Sequence, residues 1–212
     1  MKLRTVYLSI LFIGVNCSVS SYSQTKTTSL DKSPDNIAYK RIELKEFAFK
    51  NNWYWFEDEN AKLFGIINTD GVVVIEPLFQ QVESFIEGIS IIRKDGFYGA
   101  INQEGVFIIP YIYEDLNASN ELRIAFKEFG LWGFFDQEGN KVVPATYETV
   151  EDFSEGFAVV SSNYKFGYIN FNGKLVIPLE FDRAEDYEMG DAEVEYKGQT
   201  FYINKHGQRI RE

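Results

Sequence analysis

The sequence predicts an all-β fold in which antiparallel meanders with a period of about 34 residues repeat in tandem and stack as a solenoid-like array; a small closed β-propeller is the alternative. Three observations predict it. Gly65, Gly99, Gly133 and Gly167 are evenly spaced, each after a large aromatic (Phe64, Tyr98, Trp132, Phe166). A second glycine column, Gly71, Gly105, Gly139, Gly173 and Gly207, keeps the same step. Between the columns lie short runs such as "GFAVVSS" (156–162), "FGYIN" (166–170) and "KLVIP" (174–178), rich in β-branched and aromatic residues and bounded by turn residues.

A period of this length also suits a helical-hairpin repeat. Here each helix pair would contain two glycines and usually a proline, at about 1 kcal/mol per Gly and about 3 per Pro, so strands are preferred. In "NTDG", "NQEG", "DQEG", "NFNG" and "NKHG" a short polar side chain can hydrogen-bond the backbone two residues on, and the Gly takes the positive φ of a bulged hairpin turn. The first glycine column falls at the start of a strand, where Gly otherwise weakens the ladder. That position predicts close approach of another backbone or ring, with Trp132 packing across the gap. Pro110, Pro144 and Pro178 form a further column, while Pro77 is one place late; one inserted and one deleted residue are the expected reason.

These columns are similar to those of the WG-repeat family of bacterial proteins, with "LWGFFDQEGNKVVPATYETVEDFSEG" (131–156) as the fullest match and "KFGYINFNGKLVIPLEFDRAEDYEMG" (165–190) next. The resemblance runs over about residues 55–212. It departs from the pattern in having Trp at one aromatic-Gly pair alone and a weak close at "LNASNEL" (116–122). It implies interaction repeats of envelope and secreted proteins without shared catalytic residues.

The organisation expected is a signal peptide over 1–23, a polar linker over 24–36, N-terminal cap strands over 37–64, and repeats over 65–212. These start near 65, 99, 133 and 167, with a truncated last unit at 201–212. In "MKLRTVYLSILFIGVNCSVSSYSQ" two basic residues precede an apolar run from Val6 to Val15, then small residues. About ten apolar residues fall short of the roughly twenty that span a bilayer, so the segment reads as a removable address to the periplasm or exterior. Lipoprotein processing at Cys17 is the weaker reading, because Asn16 stands where the peptidase wants a small residue.

Composition excludes several function classes. A net charge of −11 disfavours nucleic acid and anionic lipid. With one Cys and one His, nucleophilic triads and His-rich zinc sites lack their parts, and no cofactor is expected. His206 falls in a turn. Carboxylates are plentiful: "VEDFSEG" and "AEDYEMGDAE" place Glu and Asp side by side, and Glu83, Glu151 and Glu185 share a column, which reads as a solvated rim ahead of an acid-pair glycosidase. Asp182, Glu185, Asp186 and Asp191 are the residues a Ca²⁺ site would use, without the spacing of known calcium loops.

The aromatic columns read as core. "WYWF" (53–56) has no single buried face in a strand, so Trp53, Tyr54 and Trp55 are expected at the surface or on an end cap and are the candidate ligand-binding residues. The expected function is a non-enzymatic, exported binding or scaffold module that meets an envelope protein. Carbohydrate or peptidoglycan binding through exposed aromatics is the alternative.

Overall fold

The computed structural model describes residues 39–41 and 49–211. The leader over 1–23 with Cys17, the linker over 24–36, and residues 37–38 and 42–48 of the cap region lie outside the described residues.

The described residues form five four-stranded antiparallel sheets, one after another along the chain. The first comprises β1 (Tyr39–Arg41), β2 (Trp53–Asp58), β3 (Leu63–Asn68) and β4 (Val73–Phe79). The second comprises β5 (Gln81–Val82), β6 (Ile89–Lys94), β7 (Phe97–Asn102) and β8 (Phe107–Tyr113). In the third, β9 (Asp115–Leu116), β10 (Ile124–Glu128), β11 (Leu131–Phe135) and β12 (Lys141–Tyr147) repeat the order. The fourth holds β13 (Thr149–Val150), β14 (Phe157–Ser162), β15 (Lys165–Asn170) and β16 (Leu175–Phe181). The fifth ends the array with β17 (Arg183–Ala184), β18 (Asp191–Tyr196), β19 (Gln199–Asn204) and β20 (Arg209–Arg211).

One short period is enough for four strands because one of the four has two residues in each of the last four sheets. The long strand β4 bends at Gln80 and continues as β5, the first strand of the next sheet; Glu114, Glu148 and Asp182 mark the same bend later on. A sequence unit counted from Gly65 therefore straddles two sheets. The segment before Gly65, expected as cap strands, supplies β1, β2 and part of β3 of a four-stranded sheet.

Four apolar clusters hold the sheets together, each between two consecutive sheets. Neighbouring residues of one strand feed opposite clusters, as side chains alternate across a sheet. Ile92 and Ile101 face the first sheet, while Ile91 and Ala100 face the third. In the fourth sheet Val160 and Ile169 pack on the third, and Val159 and Tyr168 on the fifth. Burial on both faces explains why "SIIR" and "AVVS" read as continuous apolar runs rather than alternating ones.

The glycine and proline columns turn out to be two halves of one bulge. Tyr98 pairs with Tyr113 and Ala100 with Ile109, so a single residue, Gly99, faces three on the partner strand. The extra chain presses on the glycine: a Cβ at Gly99 would lie 2.7 Å from Tyr111 N and 2.8 Å from Ile109 O. Proline suits the bulge because the ladder asks no N–H of it there. In the first sheet Phe64 pairs with Phe79 and Ile66 with Ile75, the same span, so Pro77 sits one place along an unchanged bulge. The expected insertion and deletion are corrected to a proline that moved inside a loop of constant length.

Candidate functional site

Three rows of turns join the strands, and their chemistry separates frame from free surface. In the first row lie the bulged turns of the second glycine column. Asp136 shows how they close: its Oδ1 accepts N–H bonds from Glu138 (3.1 Å) and Asn140 (2.7 Å), and Gly139 takes φ 81°. Burial opposes ionisation of Asp136, but bonds from Asn140 and Glu138 outweigh it and hold the carboxyl below its usual range. From Gly105 onward the glycines lie against the preceding sheet, Gly105 on the Trp53 ring and Gly139 on the Ile108 carbonyl. This row is internal packing. His206 is exposed in its last turn, with its N–H on Asn204 Oδ1 at 3.0 Å.

The second row consists of two-residue turns at Glu87-Gly88, Glu121-Leu122, Glu155-Gly156 and Met189-Gly190, with φ positive at both residues. Here a carboxylate from the second, third and fourth sheets grips the turn of the next. Glu87 Oε2 accepts from Ser119 Oγ (2.5 Å) and Leu122 N (2.9 Å). Glu121 accepts from Glu155 N and Gly156 N, both at 2.8 Å, and Glu155 from Gly190 N at 3.0 Å. Lys205 and the Gly190 and Met189 N–H groups hold the Glu155 carboxyl below its usual range. A charge-assisted bond in a part-buried place such as that of Glu121 contributes about 1.5–3 kcal/mol. Glu121→Ala is therefore expected to lower stability by about 2 kcal/mol, with amide exchange rising first at Glu155 and Gly156; an unchanged denaturation midpoint would refute the link.

The third row is different. Its turns, Asp95-Gly96, Phe129-Gly130, Asn163-Tyr164 and Lys197-Gly198, also have both φ values positive, and a Cβ at Gly96, Gly130 or Gly198 would meet nothing within 4 Å. In three of them an N–H group donates to the side chain of the bend that opens the same sheet, Gly96 N to Gln80, Gly130 N to Glu114 and Lys197 N to Asp182. Phe129 and Tyr164 are each 90% exposed. A left-handed conformation costs a non-glycine residue about 1–2 kcal/mol, and neither ring recovers it by burial. Nothing in the packing explains these two aromatics.

The residues expected to bind ligand lie elsewhere. Trp55 is 1% exposed, packed on Phe49 and Phe79 with ring centroids at 5.2 and 5.8 Å, so its expected surface position is corrected to the core. Trp53 and Tyr54 are half-buried, Trp53 against Phe49 and the Gly105 turn. The run has a buried face because β2 lies between β1 and β3 and is covered by the second sheet. Each carried one signal in the sequence: Phe129 falls in a column that reads Asp95, Phe129, Asn163 and Lys197 without a shared residue type, and Tyr164 replaces the glycine of the next column, Gly96, Gly130 and Gly198.

The acidic rim is real but tied down. Burial, then Asp186, Asp152 and Glu185, push Glu151 up; burial, then Asp152 and Glu185, push Asp186 up. Asp182 is held by Lys165 (2.5 Å) and Lys197 N (2.7 Å), Glu185 by Arg183 (2.5 Å), and Asp191 by Arg211. A hollow of about 620 Å³ opens beside Arg183, Glu185, Asp186 and Tyr202. Among the described residues no group of three or more His, Cys, Asp and Glu side chains is placed to hold a metal.

Comparison with known proteins rests on the same repeats. The WG containing repeat matches residues 64–96, 98–126, 132–166 and 166–198, more than half of the chain. The chain belongs to the WG containing repeat family. No curated protein matches it. Among solved structures, the WG repeat chain is similar to Hsv2 of Kluyveromyces lactis, at 12% identity and a TM-score of 0.42, over 78% of this chain and 61% of that one. Virginiamycin B lyase of Staphylococcus aureus matches at 14% identity and a TM-score of 0.34, over 78% and 67%. A streptogramin B lyase matches at 11% and 0.36, over 82% and 71%. The WG repeat chain thus spans about three-fifths of the Hsv2 chain. Among its described residues no helix is long and apolar enough to cross a membrane.

Proposed function

We propose that this WG repeat protein is a non-enzymatic binding or scaffold module, exported to the periplasm or cell surface, that meets an envelope protein through its third row of turns. The observation that carries this reading is the pair Phe129 and Tyr164, both exposed and both in positive-φ backbone. Aromatic anchors dominate protein interfaces, and rings on rigid hairpin tips lose little freedom on binding. The first two rows are occupied with holding sheet to sheet, which leaves the third free to vary without loss of the frame.

Glycan recognition is the second reading, moved from Trp53–Trp55 to these tips, because an exposed ring beside Asn163 offers both an apolar face and a polar group. The test compares the wild-type chain with Phe129→Asn/Tyr164→Asn as bait in envelope extract. Asn tolerates the left-handed region, so the variant is expected to keep or slightly raise its melting temperature while losing a captured protein. Capture that survives the double change would refute the tip assignment. Recovery of glycan fragments in place of protein would transfer it to the second reading.

A further inference from the structure

Each of the first four sheets presents to the next a trio of apolar residues aligned across its second, third and fourth strands. In the first sheet these are Trp55, Ile66 and Ile75, and in the second Ile91, Ala100 and Ile109. Ala125, Phe134 and Val143 follow in the third, and Val159, Tyr168 and Ile177 in the fourth. Every trio lies in the cluster that its sheet shares with the next.

The same three positions in the fifth sheet hold Glu193, Tyr202 and Arg211. These side chains are tied to one another instead of to another sheet. Tyr202 OH donates to Glu193 Oε2 at 2.9 Å, the Arg211 guanidinium lies 4.2 Å from the Tyr202 ring centroid, and Arg211 is paired with Asp191. The second row of turns changes at the same sheet. Met189 stands where Glu87, Glu121 and Glu155 reach for the next turn, and it is 92% exposed. The opposite face is unaltered: Ala192, Val194 and Ile203 are buried against the fourth sheet, and Glu155 accepts from Gly190 N. The fifth sheet is therefore one-sided. It keeps the contacts by which a sheet takes up its predecessor and lacks the apolar trio and the carboxylate that a sheet hands on.

We propose that the outer face of the fifth sheet is a built end stop, which keeps a second copy of the chain from stacking on the array there. Stacking would strip water from a carboxylate, a phenol and a guanidinium that already have partners on their own sheet, so no new bond offsets the loss. The four apolar trios gain from the same burial. Charge acts in the same direction, because carboxylates outnumber the guanidinium groups of Arg183 and Arg211 around the hollow beside this face, and two such ends repel. The stop is independent of what the third row of turns binds.

The test is sedimentation velocity over a roughly hundredfold range of concentration, with amide spectra of the isotope-labelled full chain at both ends of the range. The wild type is expected to show no association through this face. Asp191→Ala/Glu193→Val/Arg211→Ile, which restores an apolar trio, is expected to sediment faster as concentration rises, with concentration-dependent amide shifts confined to β18, β19 and β20. Glu193→Arg/Arg211→Glu exchanges the charges, keeps the stop and is expected to sediment as the wild type does. Association of the wild type or of the charge-exchanged variant with shifts in these strands would overturn the stop. So would a folded triple variant that stays single, or one whose shifts fall on other sheets. Arg211→Ile alone, at an exposed position, decides the matter if the triple variant does not melt cooperatively: a smaller rise in sedimentation is expected, and no rise overturns the stop.

Discussion

Gly133→Val is expected to destabilise the protein by about 3 kcal/mol or more, the scale of forced overpacking in a closed site. The glycine sits in β11 opposite the bulge of β12, where Trp132 pairs with Tyr147 and Phe134 with Val143. A Cβ there would run into the Val143 carbonyl and come within 2.8 Å of Pro144 C and 2.9 Å of Ala145 N. All three are backbone atoms of a strand fixed by its ladder on one side and by its continuation into β13 on the other. Gly133 is buried, so no rotamer change relieves the clash. Loss is expected to begin in the third sheet and to reach the second and fourth, because each cluster of the core is shared by two sheets. Thermal unfolding with residue-level hydrogen exchange measures both. A variant that melts with the wild type would show that the bulge is slack.

Gly139→Val is expected to cost about 4 kcal/mol, from two sources that a control separates. Its φ of 81° is unfavourable for any side chain, and most for a β-branched one. In addition, a Cβ would run into the carbonyl of Ile108 in the preceding sheet and come within 3.0 Å of Ile108 C. Gly130 has nearly the same φ, 77°, with nothing within 4 Å of a Cβ. Gly130→Val therefore reports the backbone term alone, about 1–2 kcal/mol. The difference between the two, read from denaturant midpoints, is the contribution of the contact between sheets. Equal losses would mean that the turn serves only its own hairpin.

Much of this frame is legible in the sequence because its causes are local. A positive φ, a close backbone approach and an Asx-type turn each ask for one residue type at one place, and repetition makes the request visible at Gly133, Gly139 and Asp136. The phase of the sheets is not. The bend at Gln80, Glu114, Glu148 and Asp182 occupies one residue of ordinary polar type, so the sequence unit and the sheet unit are offset by half a turn of the pattern. Trp55 escapes for a different reason: its cover comes from Phe49, Phe79 and the second sheet, none of which a local aromatic run discloses. The carboxylates of Glu87, Glu121 and Glu155 look like solvated turn residues, since a bond to a turn one period later leaves no trace in their neighbours.

The candidate site is legible mainly by exclusion. Fixed columns can be assigned to packing, which directs attention to the variable turns, but Phe129 and Tyr164 stand out only once their exposure and backbone are known. Two properties that are individually common, an aromatic in a loop and a left-handed residue, become informative when one side chain carries both.

Each period is one interchangeable sheet, joined to its neighbours by the same glycine, apolar and carboxylate contacts. Removing residues 115–148, one full period that begins after one bend and ends at the next, tests this most directly. The shortened chain should refold, with Glu87 reaching Glu155 N and Gly156 N in place of its former turn, and should melt cooperatively with the same β-sheet circular dichroism per residue. A chain that fails to fold after this deletion, while Gly130→Val folds, would contradict the interchangeability of the sheets.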